Sequence, residues 1–119
     1  MANELTLQSA MSFTSGIFSA DKALSKQITV AGTDYVSATQ SIGTSEEELA
    51  KGEITGSILG YLLIYNTDAT NYIEIASVTT KYAVRLLAGE FALFRPNGSS
   101  VFCKANTGAC IVEYLLLEA

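Results

Sequence analysis

Catalysis in this chain would have to rest on few side chains. It contains no histidine, which excludes every histidine-based triad and proton shuttle and removes the commonest metal ligand. Cys103 and Cys110 are its two thiols, and a separation of seven is not a metal-ligand spacing. Register decides whether they can bond. A three-residue loop at 106–108, with Gly108 in the left-handed position, pairs Ala105 with Ala109 and Cys103 with Ile111, so the thiols leave opposite faces of a hairpin. A two-residue loop would instead set them opposite each other; the glycine favours the first. The expectation is two free, mostly buried thiols acting as small hydrophobes, with no base to activate either as a nucleophile.

The carboxylates give little more. Glu46, Glu47 and Glu48 are consecutive, point in different directions, and read as a solvated acidic stretch. Glu74 and Glu113 sit inside apolar segments. One of them could be a buried carboxylate paired with Arg85, while the plainer reading is an outward-facing or interface charge. Asn66-Thr67-Asp68-Ala69-Thr70-Asn71 is rich in oxygen ligands but lacks the length, glycine and terminal glutamate of a calcium loop, so a turn is expected. Gly56 and Gly60 open a strand rather than join a strand to a helix, so they cradle no phosphate. The six tyrosines are dispersed and have no tryptophan beside them, which favours interface and core packing over a sugar platform. No catalytic, cofactor-binding or metal-binding residue is assigned, no cofactor is expected, and an enzyme is the last of the readings.

Strand patterns dominate the elements that would hold these groups. From 4 to 14 the residues alternate: Leu5, Leu7, Met11 and Phe13 fall on one face and Thr6, Gln8, Ser12 and Thr14 on the other, the period of a half-buried strand. Residues 19–26 read as a polar loop. The segments 28–30 and 35–39 flank Gly32-Thr33-Asp34 as a hairpin. Between Gly43 and Gly52, Ser45 and Glu48 have the spacing of a capping box, which suggests a short helical turn or an acidic loop over 44–51. Six further strands are expected at 57–65, 72–78, 82–87, 91–95, 101–105 and 110–118, with Pro96-Asn97-Gly98 marking a turn. Their regular spacing predicts an all-β, antiparallel β-sandwich in a single domain spanning 1–119, with 1–15 as an N-terminal arm or exchanged strand.

Two of these strands are apolar on both faces. In 57–65, Ile58, Leu62 and Ile64 oppose Leu59, Tyr61, Leu63 and Tyr65; in 110–118, Ile111, Leu115 and Leu117 oppose Val112, Tyr114 and Leu116. A sandwich strand facing water should alternate with polar residues. The second face therefore calls for cover, from another subunit or protein or from the N-terminal segment.

Composition narrows the partners. The chain has 119 residues, 49% of them hydrophobic and 16% charged, so it is neither disordered nor a solvating tail. A net charge of -5 leaves no electrostatic footprint for nucleic acid. The start, Met1-Ala2-Asn3-Glu4, has no basic region and no long apolar run behind it, so no signal peptide is expected; nor is a membrane span, which needs roughly twenty apolar residues.

The second part of the chain resembles a known group. The runs are Gly60-Tyr61-Leu62-Leu63-Ile64-Tyr65-Asn66-Thr67-Asp68-Ala69-Thr70-Asn71-Tyr72-Ile73-Glu74-Ile75, Leu87-Ala88-Gly89-Glu90-Phe91-Ala92-Leu93-Phe94-Arg95, Lys104-Ala105-Asn106-Thr107 and Val112-Glu113-Tyr114-Leu115-Leu116-Leu117-Glu118, preceded by Ile42-Gly43-Thr44-Ser45-Glu46-Glu47. In this order they resemble small structural proteins of tailed bacteriophages, over roughly residues 40 to 119. The resemblance implies a jelly-roll-like sandwich that assembles into the virion after synthesis in the host bacterial cytoplasm. A capsid decoration or cement protein is the first expectation, with itself as a homo-oligomeric partner (a trimer) and the major capsid protein or another virion protein as the other. A tail, collar or fibre component touching host glycans is the second, and a soluble ligand-binding module the third. Neither nucleic acid nor membrane is expected as a partner.

Overall fold

The computed structural model describes residues 4–54 and 59–119. Among them no helix forms, and ten strands account for the regular structure: β1 (Leu5–Ser15), β2 (Phe18–Ile28), β3 (Tyr35–Ile42), β4 (Glu47–Glu48), β5 (Leu59–Asn66), β6 (Ile73–Ala76), β7 (Tyr82–Leu86), β8 (Phe91–Phe94), β9 (Phe102–Ala105) and β10 (Cys110–Glu118). The chain divides into two compact units, Met1–Ala31 and Gly32–Ala119, where a single sandwich over its whole length is expected from the sequence.

The second unit is a sandwich of two four-stranded antiparallel sheets, ordered β3-β10-β5-β8 and β4-β9-β6-β7. Successive strands alternate between the sheets except at the β6–β7 hairpin, and the last strand lies between the first and third of the unit. That is the strand order of an eight-stranded jelly roll, which distributes a chain over two facing layers. Leu62, Ile64, Val112 and Leu116 from one sheet meet Ile73, Ile75, Cys103 and Ala105 from the other in one buried cluster. Strict alternation along β10 produces this: Cys110, Val112, Tyr114 and Leu116 point inward while Ile111, Glu113 and Leu115 point out. In β5 the alternation slips. A register shift between Leu116 and Glu118 of β10 gives β5 an extra residue near Gly60, which turns Leu59 into the core beside Leu62, whereas simple alternation places it on the opposite face. Gly60 suits the close approach there, since a Cβ would lie 3.0 Å from the Leu117 carbonyl oxygen, tighter than ordinary contact. Ile58 lies outside the described residues.

Several expected pairings are corrected. Residues 28–30 and 35–39 do not form a hairpin: β2 pairs with β1, and β3 pairs with β10. Segments 101–105 and 110–118 are strands but not partners, for β9 lies between β4 and β6 while β10 lies between β3 and β5. The loop at 106–108 thus crosses between layers instead of closing a hairpin. The helical turn over 44–51 is absent. Glu47 and Glu48 pair with Cys103 and Phe102 as a short strand, and the fully buried Leu49 fixes that segment by its side chain and by its N–H donating to the Val101 carbonyl at 2.8 Å. Two turns are too few to nucleate a helix against such an anchor.

The first unit is a lone hairpin of two eleven-residue strands, β1 and β2, in unbroken antiparallel register from Leu5 opposite Ile28 to Ser15 opposite Phe18. Residues 19–26 are therefore strand, not loop. Gly16, at φ 60°, opens the two-residue turn, the place a hairpin turn of this hand wants a glycine. The strand expected at 4–14 is present, but almost all of it is exposed rather than half-buried.

The layer assignment of β10 predicts unequal costs for neighbouring truncations. Leu116→Ala is expected to lower the unfolding free energy by about 2–5 kcal/mol, whereas Ile111→Ala on the same strand should stay within about 0.5 kcal/mol. Urea denaturation of the two variants checks this.

Candidate interaction surface

The groups that could have carried catalysis are absorbed by the fold. Cys103 and Cys110 are both free and both fully buried, each pointing into the sandwich from its own sheet. Burial pushes the Cys103 thiol up to about 12 and raises that of Cys110 as well, so neither offers a thiolate near neutrality. The expectation of free, buried thiols holds, although the geometry that buries them is two facing layers rather than one hairpin.

The oxygen-rich loop after β5 is spent on itself. Asn66 is fully buried, and its side-chain amide donates to the carbonyls of Asn71, Leu86 and Leu87 at 3.0, 3.2 and 3.3 Å. Its Oδ1 accepts from the N–H of Asp68 at 3.0 Å. Asp68 Oδ2 in turn accepts from the N–H groups of Thr70 and Asn71 at 3.0 and 2.6 Å, which hold its carboxyl below the usual carboxylate range. No group of three or more metal-ligating side chains occurs among the described residues.

Glu46, Glu47 and Glu48 do point different ways. Glu47 accepts from the Gly43 N–H at 2.9 Å, and Glu48 pairs with Lys51 at 3.3 Å. Glu46 accepts from the Tyr82 hydroxyl and, at 2.9 Å, from the N–H of Thr80. Thr80 sits at φ 64°, a strained region for a branched side chain, and the Glu46 carboxylate fastens that turn. The two bonds, that from Tyr82 first, hold the Glu46 carboxyl below the usual carboxylate range, while burial first and Glu46 second push Tyr82 up to about 12.

The outer faces of the two sheets differ in kind. On the β4-β9-β6-β7 sheet, half-buried Glu74 stands directly across from Arg85 on one side and Lys104 on the other. The Arg85 guanidinium lies 4.4 Å over the Tyr72 ring and the Lys104 ammonium 4.9 Å over that of Tyr82. This is an alternating sheet finished for water. The β3-β10-β5-β8 sheet is not. Across its outer face Thr39, Glu113, Tyr65 and Phe91 form one row, and Ser37, Leu115, Leu63 and Leu93 the next. Phe91 is 69% exposed and Ile111 54%, with Leu63, Tyr65, Leu115 and Tyr35 also open. Ser37, Leu63, Tyr65, Glu113 and Leu115 line an open depression of about 640 Å³. Glu113 is thus an outward charge in an apolar field, not a buried paired one. Among the tyrosines, Tyr114 is in the core with its hydroxyl donating to the Ala50 carbonyl at 2.7 Å, and Tyr35 and Tyr65 stand on the apolar face. Exposed apolar fields of this kind are suited to contact with another surface.

No family model, curated protein or solved structure matches the chain.

The hairpin carries a second apolar field that sequence reading missed in part. Leu5, Leu7, Met11 and Phe13 of β1 share a face with Phe18, Leu24 and Ile28 of β2, and the opposite face holds only Ala, Ser, Thr, Gln and Asp. The signal was available in the even-numbered spacing of Phe18, Ala20, Leu24 and Ile28 just after Gly16. Lys22 and Lys26, which fall on that same face, disguised it as a loop.

Two outcomes follow. Leu116→Asp puts an unpaired charge into the core and is expected to leave no cooperative unfolding transition, while Leu63→Asp on the open face should fold and keep its melting profile, as circular dichroism will show. For Glu46, a lowered folded-state value means stabilisation that is full above 4.5 and lost as pH falls through the folded value. Glu46→Gln should therefore be less stable than the parent at pH 7, and the gap should narrow by pH 3 in parallel thermal melts.

Proposed function

We propose that this chain is a structural protein of a tailed-bacteriophage virion, a decoration protein that seats on the major capsid lattice and stabilises the shell. One observation carries the reading: the outer face of the β3-β10-β5-β8 sheet sets Leu63, Tyr65, Phe91, Leu93 and Leu115 side by side, while the opposite outer face of the same sandwich carries Glu74 between Arg85 and Lys104. A jelly roll with one such face is suited to burial against a flat partner. The resemblance of residues 42–47, 60–75, 87–95, 104–107 and 112–118 to small phage structural proteins supplies the partner class. On this reading the mechanism is interface burial across neighbouring capsomers by a closed homo-oligomer, with a trimer as the symmetric arrangement, acting after assembly in the host cytoplasm.

A tail, collar or fibre placement is the second reading. It is favoured by Tyr35 and Tyr65, both exposed on the apolar face and able to stack on sugar rings. Labelled electron microscopy of virions separates the two positions.

The test of the first reading is co-sedimentation with intact shells that lack this protein. Saturable binding, with shells that then resist heat and osmotic shock better, is expected from the parent protein and lost with Leu63→Asp. Intact shells that bind none of the parent protein overturn it.

A further inference from the structure

The hairpin of the first unit poses a physical problem. A two-stranded ribbon alone in water is marginal at best. This one nonetheless keeps eleven-residue strands in unbroken register and shows Met11 75% and Phe13 59% exposed. Its sidedness is complete, with large apolar side chains on one face and small or polar ones on the other. A register slip of one residue would scramble that sorting. Sorting of this kind has a use only where the apolar face meets another surface.

We propose that the apolar face of the β1–β2 hairpin docks on the outer face of the β3-β10-β5-β8 sheet of a second copy of this chain. Charge selects this occupant. The hairpin's apolar face carries two cations, Lys22 and Lys26, and no acid, whereas the sheet's outer rows carry Glu113 at their centre and a cation, Arg95, set to one side over the Tyr61 ring. Two hairpins laid face to face would bring lysines toward lysines, which costs several kcal/mol when such charges leave water. Dimensions fit as well. Eleven residues at the usual rise make a ribbon about 36 Å long and, at two strand spacings, about 10 Å wide, against sheet strands of about 30 Å. One contact then buries about 360 Å² on each partner, and two copies that exchange hairpins reciprocally share one interface of about 1,400 Å² in total, within the range of stable interfaces. Reciprocal exchange between two copies is a closed twofold arrangement, which leaves neither hairpin nor sheet face unpaired.

The proposal gives to a second copy part of the face that the shell reading turns toward the capsid, and it fails separately from that reading because no capsid enters its test. The measurement is mass by light scattering after gel filtration at micromolar concentration. The parent chain is expected at two or more times its 12.6 kDa. Lys22→Glu with Lys26→Glu, and separately Glu113→Lys, should each fall to the single-chain mass, since each sets like charges against each other. The three changes together should recover the oligomer, and an equimolar mixture of the two variants should give a species containing both. All these positions are exposed, so a cooperative melting transition in each variant will show that it folds. A parent chain that stays at 12.6 kDa overturns the proposal, as docking within one chain or on a foreign partner would require. So does an oligomer that neither reversal disturbs, or a combined variant that does not recover.

Discussion

A β-strand has two faces, and a two-layer sandwich can bury only one of them. Strand β10 concentrates the consequence. It lies between β3 and β5, so its backbone is fully paired, and its inward side chains Val112, Tyr114 and Leu116 close the core against the second layer. The hydrophobic effect that fixes those three does nothing for Ile111 and Leu115 on the other side. Polar residues there would leave the fold intact. Apolar ones are a cost in water that only a further layer removes. The fold of the second unit depends on the inner half of this strand, and any association depends on the outer half.

The contrast between the layers makes this more than a matter of scattered surface hydrophobes. One sheet has Glu74 between Arg85 and Lys104, with both cations lying over tyrosine rings. The other sets Leu63, Leu93 and Leu115 side by side. Both sheets come from one chain of uniform composition and obey the same alternation, so the difference lies in what was placed at the outward positions and not in the fold. Elsewhere the polar groups are satisfied internally. Asn66 holds three carbonyls at the end of β5, and Asn106 and Tyr72 exchange hydrogen bonds at the adjoining ends of β9 and β6, the Tyr72 N–H donating to Asn106 Oδ1 at 2.9 Å and the Asn106 N–H to the Tyr72 carbonyl at 3.1 Å. These bonds secure the inter-layer crossings that a jelly roll needs, and they explain why an oxygen-rich loop has no oxygens to spare for a cation.

Local pattern made most strands legible. Alternation and turn residues place β5 to β10 within a residue or two of their observed ends, because each is short and bounded by Gly, Asn or Pro. Partners were less visible. Nothing local in 101–118 says that β9 and β10 belong to different layers, since a crossing loop and a hairpin loop can both use Asn106-Thr107-Gly108. Pairing over long sequence separations is decided by core packing, which one segment does not contain. Strand β4 was hidden for a related reason: Ser45 and Glu48 favour a helical start, but the burial of Leu49 outweighs a capping preference of about 1 kcal/mol. Leu59 went to the wrong face because a single extra residue at Gly60 inverts everything before it. The apolar face itself was legible, as two strands with no polar side; what the sequence did not disclose was that β5 gives it three residues, Tyr61, Leu63 and Tyr65, and returns Leu59 to the core.

The hairpin shows why polarity misleads where neither face is buried within the chain. Inside a sandwich, strands announce themselves by a continuous contrast between core and solvent. In β2 the contrast is interrupted by Lys22 and Lys26 on the apolar side, at positions where a core would tolerate neither. A surface that must be stable in water before association and apolar enough to associate afterwards has a different requirement. Long lysine stems can lie along apolar surface and keep their charged ends at its rim. Alternating Leu24 with flanking lysines keeps the ribbon from aggregating by its faces while like charges oppose self-docking. The same two residues that make the segment read as a loop are thus the ones that define which surface can receive it.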